Sequence, residues 1–148
     1  MNLQHHPARL ADLDLLMQLL KEFCDYDHHP FVPDKVRQAT EYLINNPRYG
    51  HIWLITADGE TAGYVVVTLG YSLEYHGIDA FVDEIFLRAP YRGLGIGTQT
   101  FEFIENACRH LGVKALHLEV ERANTKARGF YDKVGYDAQD SYLMTKWL

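Results

Sequence analysis

The stretch "YRGLGIGTQ" (91–99) places three glycines within five positions, between a strand-like run and a helix-like run. A helix that begins directly after a strand leaves its first backbone N–H groups unpaired, and its macrodipole adds partial positive charge there. Glycine at positions 93, 95 and 97 would let a phosphate group approach these amides closely. Arg92 adds a cation beside them. The stretch therefore predicts a phosphate site, with a tight strand-to-helix turn packed against the sheet as the alternative.

Two familiar phosphate motifs fit this stretch poorly. A nucleoside triphosphate loop would end in Gly-Lys-Ser or Gly-Lys-Thr, whereas Gly97 is followed by Thr98 and Gln99. The dinucleotide pattern Gly-x-Gly-x-x-Gly is closer, but the third glycine comes one place early and the chain offers a single strand-helix-strand crossover. A nicotinamide-dependent enzyme is therefore kept as the weaker alternative.

The hydrophobic periodicity predicts helices first and strands afterwards. Apolar residues at helical spacing indicate helices over 11–23 and 34–46, and β-branched and aromatic runs then indicate strands. The predicted strands are 51–57, 62–71, 78–88, 114–120 and 141–147, with further helices over 95–111 and 125–135. This order predicts an α/β protein of the α+β type, with a mixed, mostly antiparallel central sheet flanked by helices in a single domain over 1–148.

Composition bounds the function classes. The chain has 148 residues, 47% of them hydrophobic and 23% charged, which is typical of a soluble globular protein. Its formal net charge of -6 disfavours nucleic acid and anionic membranes as partners. Two distant cysteines and the absence of a signal-like or membrane-spanning run predict a cytoplasmic protein with free thiols. The eight histidines lack helical metal-ligand spacing, so no metal site is expected.

Three segments together carry a resemblance to a known family. "RGLGIG" (92–97) fits the pattern Arg/Gln-x-x-Gly-x-Gly/Ala, "VDEIFL" (82–87) precedes it, and "ERANTKARGFYDKVGY" (121–136) follows it. The chain in this order resembles the GCN5-related N-acetyltransferases (GNAT) over 51–148. The resemblance implies the acyl-CoA N-acyltransferase fold, N-acetyltransferase activity and acetyl-CoA as co-substrate.

The resemblance also implies a set of cofactor-binding residues. The pyrophosphate would be held by backbone amides beside Arg92, and those amides belong to Gly93, Leu94, Gly95, Ile96, Gly97 and Thr98. The pantetheine arm would pair with the strand edge at Ile85, Phe86 and Leu87. In the family this strand carries a bulge and splays from its parallel neighbour. Asn124 matches the position that steadies the pantetheine, and Tyr131 matches the residue that faces the cofactor sulfur.

Acetyl transfer to an amine needs a proton acceptor and a proton donor. An alkylammonium with a pKa of about 10.4 must lose a proton before it attacks. The resemblance implies an acid at the strand position of Glu84 and Asp83, and neighbours in a strand face opposite sides, so without a bulge only one of them can point at the amine. Glu84 is the preferred base and Asp83 the second choice. A carboxylate with an ordinary pKa is a poor match for an amine, so we expect a water chain between them. The alternative is a solvated acidic pair at a strand edge. Tyr131 would protonate the departing thiolate, its alternative being packing against Phe130.

The acceptor is less defined by the sequence. Acidic residues could line the mouth of the site and favour a cationic amine, such as a polyamine, a lysine-like amino acid or a basic peptide end. The alternative is that acidic residues are spread over the whole surface of an acidic protein and do not mark the acceptor site. A coenzyme A-binding sensor without catalysis is a rival function, and a homodimer formed through the final strand is a further hypothesis.

Overall fold

The computed structural model describes residues 1–148 and contains two compact units, Met1–Leu118 and Glu119–Leu148. The first unit holds the sheet and three helices. Its elements are β1 (Leu3–Pro7), α1 (Leu13–Asp27), α2 (Pro33–Asn45), β2 (Gly50–Ala57), β3 (Glu60–Ser72), β4 (Gly77–Leu87), α3 (Ile96–His110) and β5 (Ala115–His117). The second unit holds α4 (Thr125–Lys133). No helix is both long enough and apolar enough to cross a membrane.

The five strands form one mixed sheet in the order β1-β2-β3-β4-β5. Neighbouring strands are antiparallel except β4 and β5, which are parallel and joined by the crossover through α3. The predicted mixed, mostly antiparallel sheet is confirmed. A single parallel pair does not form the doubly wound sheet of a nicotinamide-dependent enzyme, so the fold argues against that alternative.

Two strand predictions were wrong. The sheet begins with β1, which was not predicted because "LQHHP" (3–7) is short and rich in polar residues and ends in proline. Residues 141–147 form no strand: they have no regular secondary structure, and side chains such as Trp147 are exposed. Strand propensity needs a partner edge to pair with, and nothing in a sequence window shows whether that edge exists.

Helices cover both faces of the sheet. On one face, leucines of α1 pack against Ile52, Tyr64 and Phe86 in a buried cluster, with parts of α2 beside them. On the other face, Trp53 of β2 meets Phe103 of α3 edge-on at 5.4 Å between ring centroids. Alternate residues of one strand thus bury opposite faces, as the pleat requires. Each fully buried leucine contributes about 1.5–3 kcal/mol, so α1 is firmly held on its face.

A bulge interrupts β4 at the position where the site is expected. Val66 of β3 lies opposite Glu84, and the next residue, Val67, lies opposite Val82. Asp83 is therefore the extra residue. Because Val66 packs on the α1 face, Glu84 opposite it lies on that face as well. The bulge that the family resemblance implied is present.

Candidate active site

The glycine loop connects β4 to α3 and leaves its backbone accessible. Gly93 and Gly95 have positive φ angles of 72° and 81°, a conformation that costs a residue with a side chain about 1–2 kcal/mol. A Cβ atom at either position would meet no protein atom within 4 Å. These two glycines are therefore explained by backbone conformation and not by close packing against the sheet, and the space beside them is open to a ligand.

The first turn of α3 offers unpaired amides. The N-cap residue Gly95 has no side chain to cap the helix, and the first helical hydrogen bond runs from the Gln99 N–H to the Gly95 carbonyl at 3.2 Å. The N–H groups of the first three helical residues, 96–98, thus have no partner within the helix. No acidic residue occupies this turn. The local backbone and the helix dipole together suit an anion such as a diphosphate.

Arg92 lies between the loop and the end of α1. Its guanidinium stacks over the ring of Tyr26 at 4.0 Å, and its Nε donates a hydrogen bond to the Leu87 carbonyl at 2.8 Å. The side chain is exposed. Arg92 therefore places a cation beside the open loop and also caps a backbone acceptor at the edge of β4.

The edge of β4 that faces β5 is hydrogen-bonded over only part of its length. The Arg88 N–H donates a hydrogen bond to the Ala62 carbonyl of β3 at 2.8 Å. Every second residue of an antiparallel strand directs its N–H and C=O to the same neighbouring strand. Phe86 therefore also directs its backbone groups towards β3, whereas Ile85 and Leu87 direct theirs away from β3. The ladder with β5 covers only residues 79–81. The backbone groups of Ile85 and Leu87 consequently lie outside the β5 ladder, while Phe86 contributes a buried side chain to the core.

Glu84 lies in a partly buried site beside a buried hydroxyl group. It is partly buried, and the hydroxyl of the fully buried Tyr64 donates a hydrogen bond to its Oε2 at 3.3 Å. Burial and then the charge of Asp83 raise the pKa of Glu84 to about 7, against the smaller opposing effects of Tyr64 and His29. A carboxyl with such a pKa exchanges protons near neutrality. The expectation of a water chain assumed an ordinary carboxylate. A pKa of about 7 makes direct transfer a second route, and the choice between the two routes stays a prediction.

Asp83 plays a different part from its neighbour. As the bulged residue it is exposed, although the surrounding protein atoms still raise its pKa by partial desolvation. Its charge is one of the causes that hold the pKa of Glu84 high. The structure thus brings the two predicted carboxyl groups together and gives Glu84 the more perturbed site.

Asn124 and Tyr131 belong to the second unit, Glu119–Leu148. The Asn124 side chain accepts a hydrogen bond from the Ala127 N–H at 3.2 Å and so caps α4. Tyr131 is partly buried, and its ring meets those of Phe130 and Tyr136 at 5.5 and 6.2 Å. Burial raises the pKa of the Tyr131 phenol, so the hydroxyl keeps its proton at neutral pH.

The sequence analysis missed a second polar cluster on the sheet. Nε2 of His117 lies 3.2 Å from Oδ2 of Asp79, with the rings of Tyr75 and Phe81 at 4.5 and 5.0 Å from the imidazole. The parallel pairing of β4 with β5 brings these residues together across a large sequence separation, so no local pattern could reveal the cluster.

No group of three or more histidine, cysteine, aspartate or glutamate side chains could hold a metal ion.

Known proteins are similar to this chain in sequence and in fold. The acetyltransferase (GNAT) family profile matches residues 14–136. A thialysine N-epsilon-acetyltransferase from Mus musculus is 28% identical over 95% of this chain and 86% of its own length.

Two solved structures have closely similar folds. An integron cassette protein from the Cole Harbour Salt Marsh metagenome is 33% identical, covers 98% of this chain and 90% of its own, and superposes with a TM-score of 0.87. A predicted acetyltransferase from Clostridium acetobutylicum, solved with acetyl-CoA, is 14% identical, covers 98% and 96% of the two chains, and has a TM-score of 0.80.

Proposed function

The chain belongs to the acetyltransferase (GNAT) family, and we propose that it transfers the acetyl group of acetyl-CoA to a primary amine of a small cationic molecule or a basic peptide. The observation that carries this proposal is the bulge of β4, which puts Glu84 on the α1 face in a partly buried site with a pKa of about 7. A proton acceptor of this kind has a use in amine acetylation and none in cofactor binding alone.

The cofactor would bind along the path from β4 to α3. The diphosphate would accept hydrogen bonds from the amides of the glycine loop and the first turn of α3, with Arg92 as the nearby cation. The pantetheine would pair with the backbone of Ile85 and Leu87, whose hydrogen-bonding groups lie outside the β5 ladder. Arg92 would then exchange its bond to the Leu87 carbonyl for a contact with the cofactor. Asn124 would steady the pantetheine while it caps α4.

The reaction would proceed by direct attack. The acceptor ammonium loses a proton to Glu84, and its nitrogen then forms a bond to the thioester carbonyl carbon while the C–S bond breaks. The nitrogen loses its second proton as the amide forms. Tyr131 donates a proton to the departing thiolate, which a phenol with a raised pKa can do at neutral pH. Asp83 serves mainly by keeping the pKa of Glu84 high.

A cationic acceptor fits the charges around Glu84. Asp25 and Asp27 lie at the end of α1, and Asp83 lies on β4. Burial and then the charges of Glu84, Asp25 and Asp27 raise the pKa of the Cys24 thiol. Burial and then the charge of Asp83 raise the pKa of Glu84. Such a negative environment attracts an ammonium group. The relative from Mus musculus is named for the epsilon-amine of thialysine, which is consistent with an acceptor of the lysine type.

The proposal is tested by measuring thiol release from acetyl-CoA with a panel of polyamines, lysine-like amino acids and basic peptides, and by detecting the acetylated products by mass spectrometry. We expect amine-dependent thiol release and a product heavier by one acetyl group. Coenzyme A raising the melting temperature, with no product from any amine, would instead identify a coenzyme A-binding sensor.

Location and assembly stay predictions. Both cysteines are free, as expected for a protein of the reducing cytoplasm. Exposed apolar side chains near the end of the chain, among them Leu143 and Trp147, are candidates for a homodimer contact. Light scattering after size-exclusion chromatography measures the mass, and a W147S variant should shift a dimer towards monomer.

A further inference from the structure

His117 is held at the point where β5 stops pairing with β4. It forms the last pair of the parallel ladder, opposite Phe81. Its Nε2 lies 3.2 Å from Oδ2 of Asp79, and only 18% and 15% of the two side chains are exposed. A carboxylate accepts hydrogen bonds and does not donate them, so Nε2 carries the hydrogen and Nδ1 is the proton-accepting nitrogen. The rings of Tyr75 and Phe81 fix the plane of the imidazole.

The bulge brings this imidazole near Glu84. Phe81 and Glu84 lie opposite Thr68 and Val66 of β3, which are two residues apart, so Phe81 and Glu84 share a face and lie about 7 Å apart along the sheet. His117 lies one strand further over, about 4.8 Å from Phe81, and faces the same side. The Cα atoms of Glu84 and His117 are therefore about 8–9 Å apart on the α1 face. Both residues thus border the same stretch of this face, where β5 no longer pairs with β4.

We propose that the acceptor amine binds between Glu84 and His117, and that the Asp79-held imidazole of His117 is a second proton acceptor in the acetyl transfer. This inference rests on the proposed function. Turning an ammonium into an amide removes two protons from the nitrogen, one before the N–C bond forms and one after it. Glu84 takes the first proton, and Nδ1 of His117 takes the second as the C–S bond breaks. Asp79 is a positioning residue that sets the tautomer.

Other ionisable groups face these two. Asp79 and Tyr75 face His117, and Asp83, Tyr64, Cys24 and His29 face Glu84. Asp83 is exposed, and the phenol and thiol around Glu84 have raised pKa values. Because several ionisable groups lie near the site, each step in the pH profile of kcat is assigned to a residue by substituting Glu84 and His117 one at a time.

The test is the pH dependence of kcat at saturating acetyl-CoA and amine, for the wild type and for His117→Gln. Glutamine places its amide near the position of Nε2, so it keeps a donor to Asp79 and removes the acceptor Nδ1. We expect kcat of the wild type to fall on the acidic side with a logarithmic slope approaching 2, and that of the variant to fall with a slope of 1. At neutral pH, kcat of the variant should drop about 100-fold. His110→Gln, at an exposed histidine of α3, should match the wild type.

Three results would overturn the inference. The first is an unchanged slope with reduced kcat, which is what a purely structural role produces. The second is kcat of His117→Gln within about twofold of the wild type. The third is a ¹⁵N NMR spectrum showing the hydrogen of the neutral ring on Nδ1, since this would remove the acceptor independently of activity. A wild type that acetylates no amine would instead refute the proposed function.

Discussion

The sharpest quantitative prediction concerns the stability of a Glu84→Gln variant. Burial and Asp83 raise the pKa of Glu84 from an ordinary 4.5 to about 7. The folded protein therefore holds this proton more tightly than the unfolded chain does, and its stability falls as the pH rises from 4.5 to 7. The difference corresponds to about 3 kcal/mol. Glutamine stays neutral and can still accept the Tyr64 hydrogen bond, so it avoids this cost.

Urea unfolding at pH 4.5 and pH 8 measures the effect. Fluorescence of Trp53 reports the transition, because this residue is buried in the sheet whereas Trp147 is exposed. The free energy of unfolding of Glu84→Gln, relative to the wild type, should increase by about 3 kcal/mol between the two pH values. If Glu84 is the base, as proposed, the same variant should also lose most of its acetyltransferase activity.

A matched control separates burial from charge. Glu102→Gln removes an exposed carboxyl from α3 and should show little change in relative stability between the two pH values. If Glu84→Gln behaved like this control, Glu84 would not be a carboxyl with a raised pKa. The assignment of Glu84 as a base matched to neutral pH would then fail.

Three further predictions concern the loop, the acid and the anchoring of α1. Gly95→Ala should weaken coenzyme A binding at least about tenfold, as measured by calorimetry. The control Gly59→Ala, at a matched φ of 83° in the β2–β3 turn, should cost about 1–2 kcal/mol of stability and leave the affinity for coenzyme A unchanged. Equal affinities of the two variants would contradict the phosphate site. Tyr131→Phe should lower kcat about 100-fold with coenzyme A affinity nearly intact, and an equal loss in both would favour a packing role. Glu22→Gln removes the charge of the carboxylate and one of its two hydrogen bonds from Arg88, of 2.9 and 3.0 Å, and should lower the free energy of unfolding by about 1 kcal/mol at pH 7 in urea titrations. Arg88 lowers the pKa of Glu22, so this loss should shrink as the pH falls below the carboxyl's ordinary range; a loss independent of pH would contradict the ion pair.

Local features were predictable from the sequence because their causes are local. Three closely spaced glycines after an apolar strand predicted the loop and the start of α3, and periodicity predicted α1 and α2 to within a few residues. β1 and the final segment were misassigned because strand formation depends on which edge is free. The bulge at Asp83 fixes which carboxyl faces α1, and a register shift leaves no mark in composition or spacing.

The electrostatics of the site depend on contacts between distant segments. The raised pKa of Glu84 requires a buried environment and the Asp83 charge, which together outweigh the lowering effect of the hydrogen bond from Tyr64 on the neighbouring strand. The pair of Asp79 and His117 requires the parallel ladder between β4 and β5. The sequence could predict that Glu84 is a carboxyl group on a strand, but the raised pKa that would suit a base arises from the tertiary fold.

A crystal structure of the complex with acetyl-CoA tests the central claim most directly. We predict diphosphate oxygens within about 3 Å of the amide nitrogens of the first turn of α3, and pantetheine amides hydrogen-bonded to Ile85 and Leu87. The acetyl carbonyl should then lie next to Glu84 at the bulge. A diphosphate bound away from the glycine loop, or a pantetheine that leaves this edge of β4 unengaged, would contradict the account.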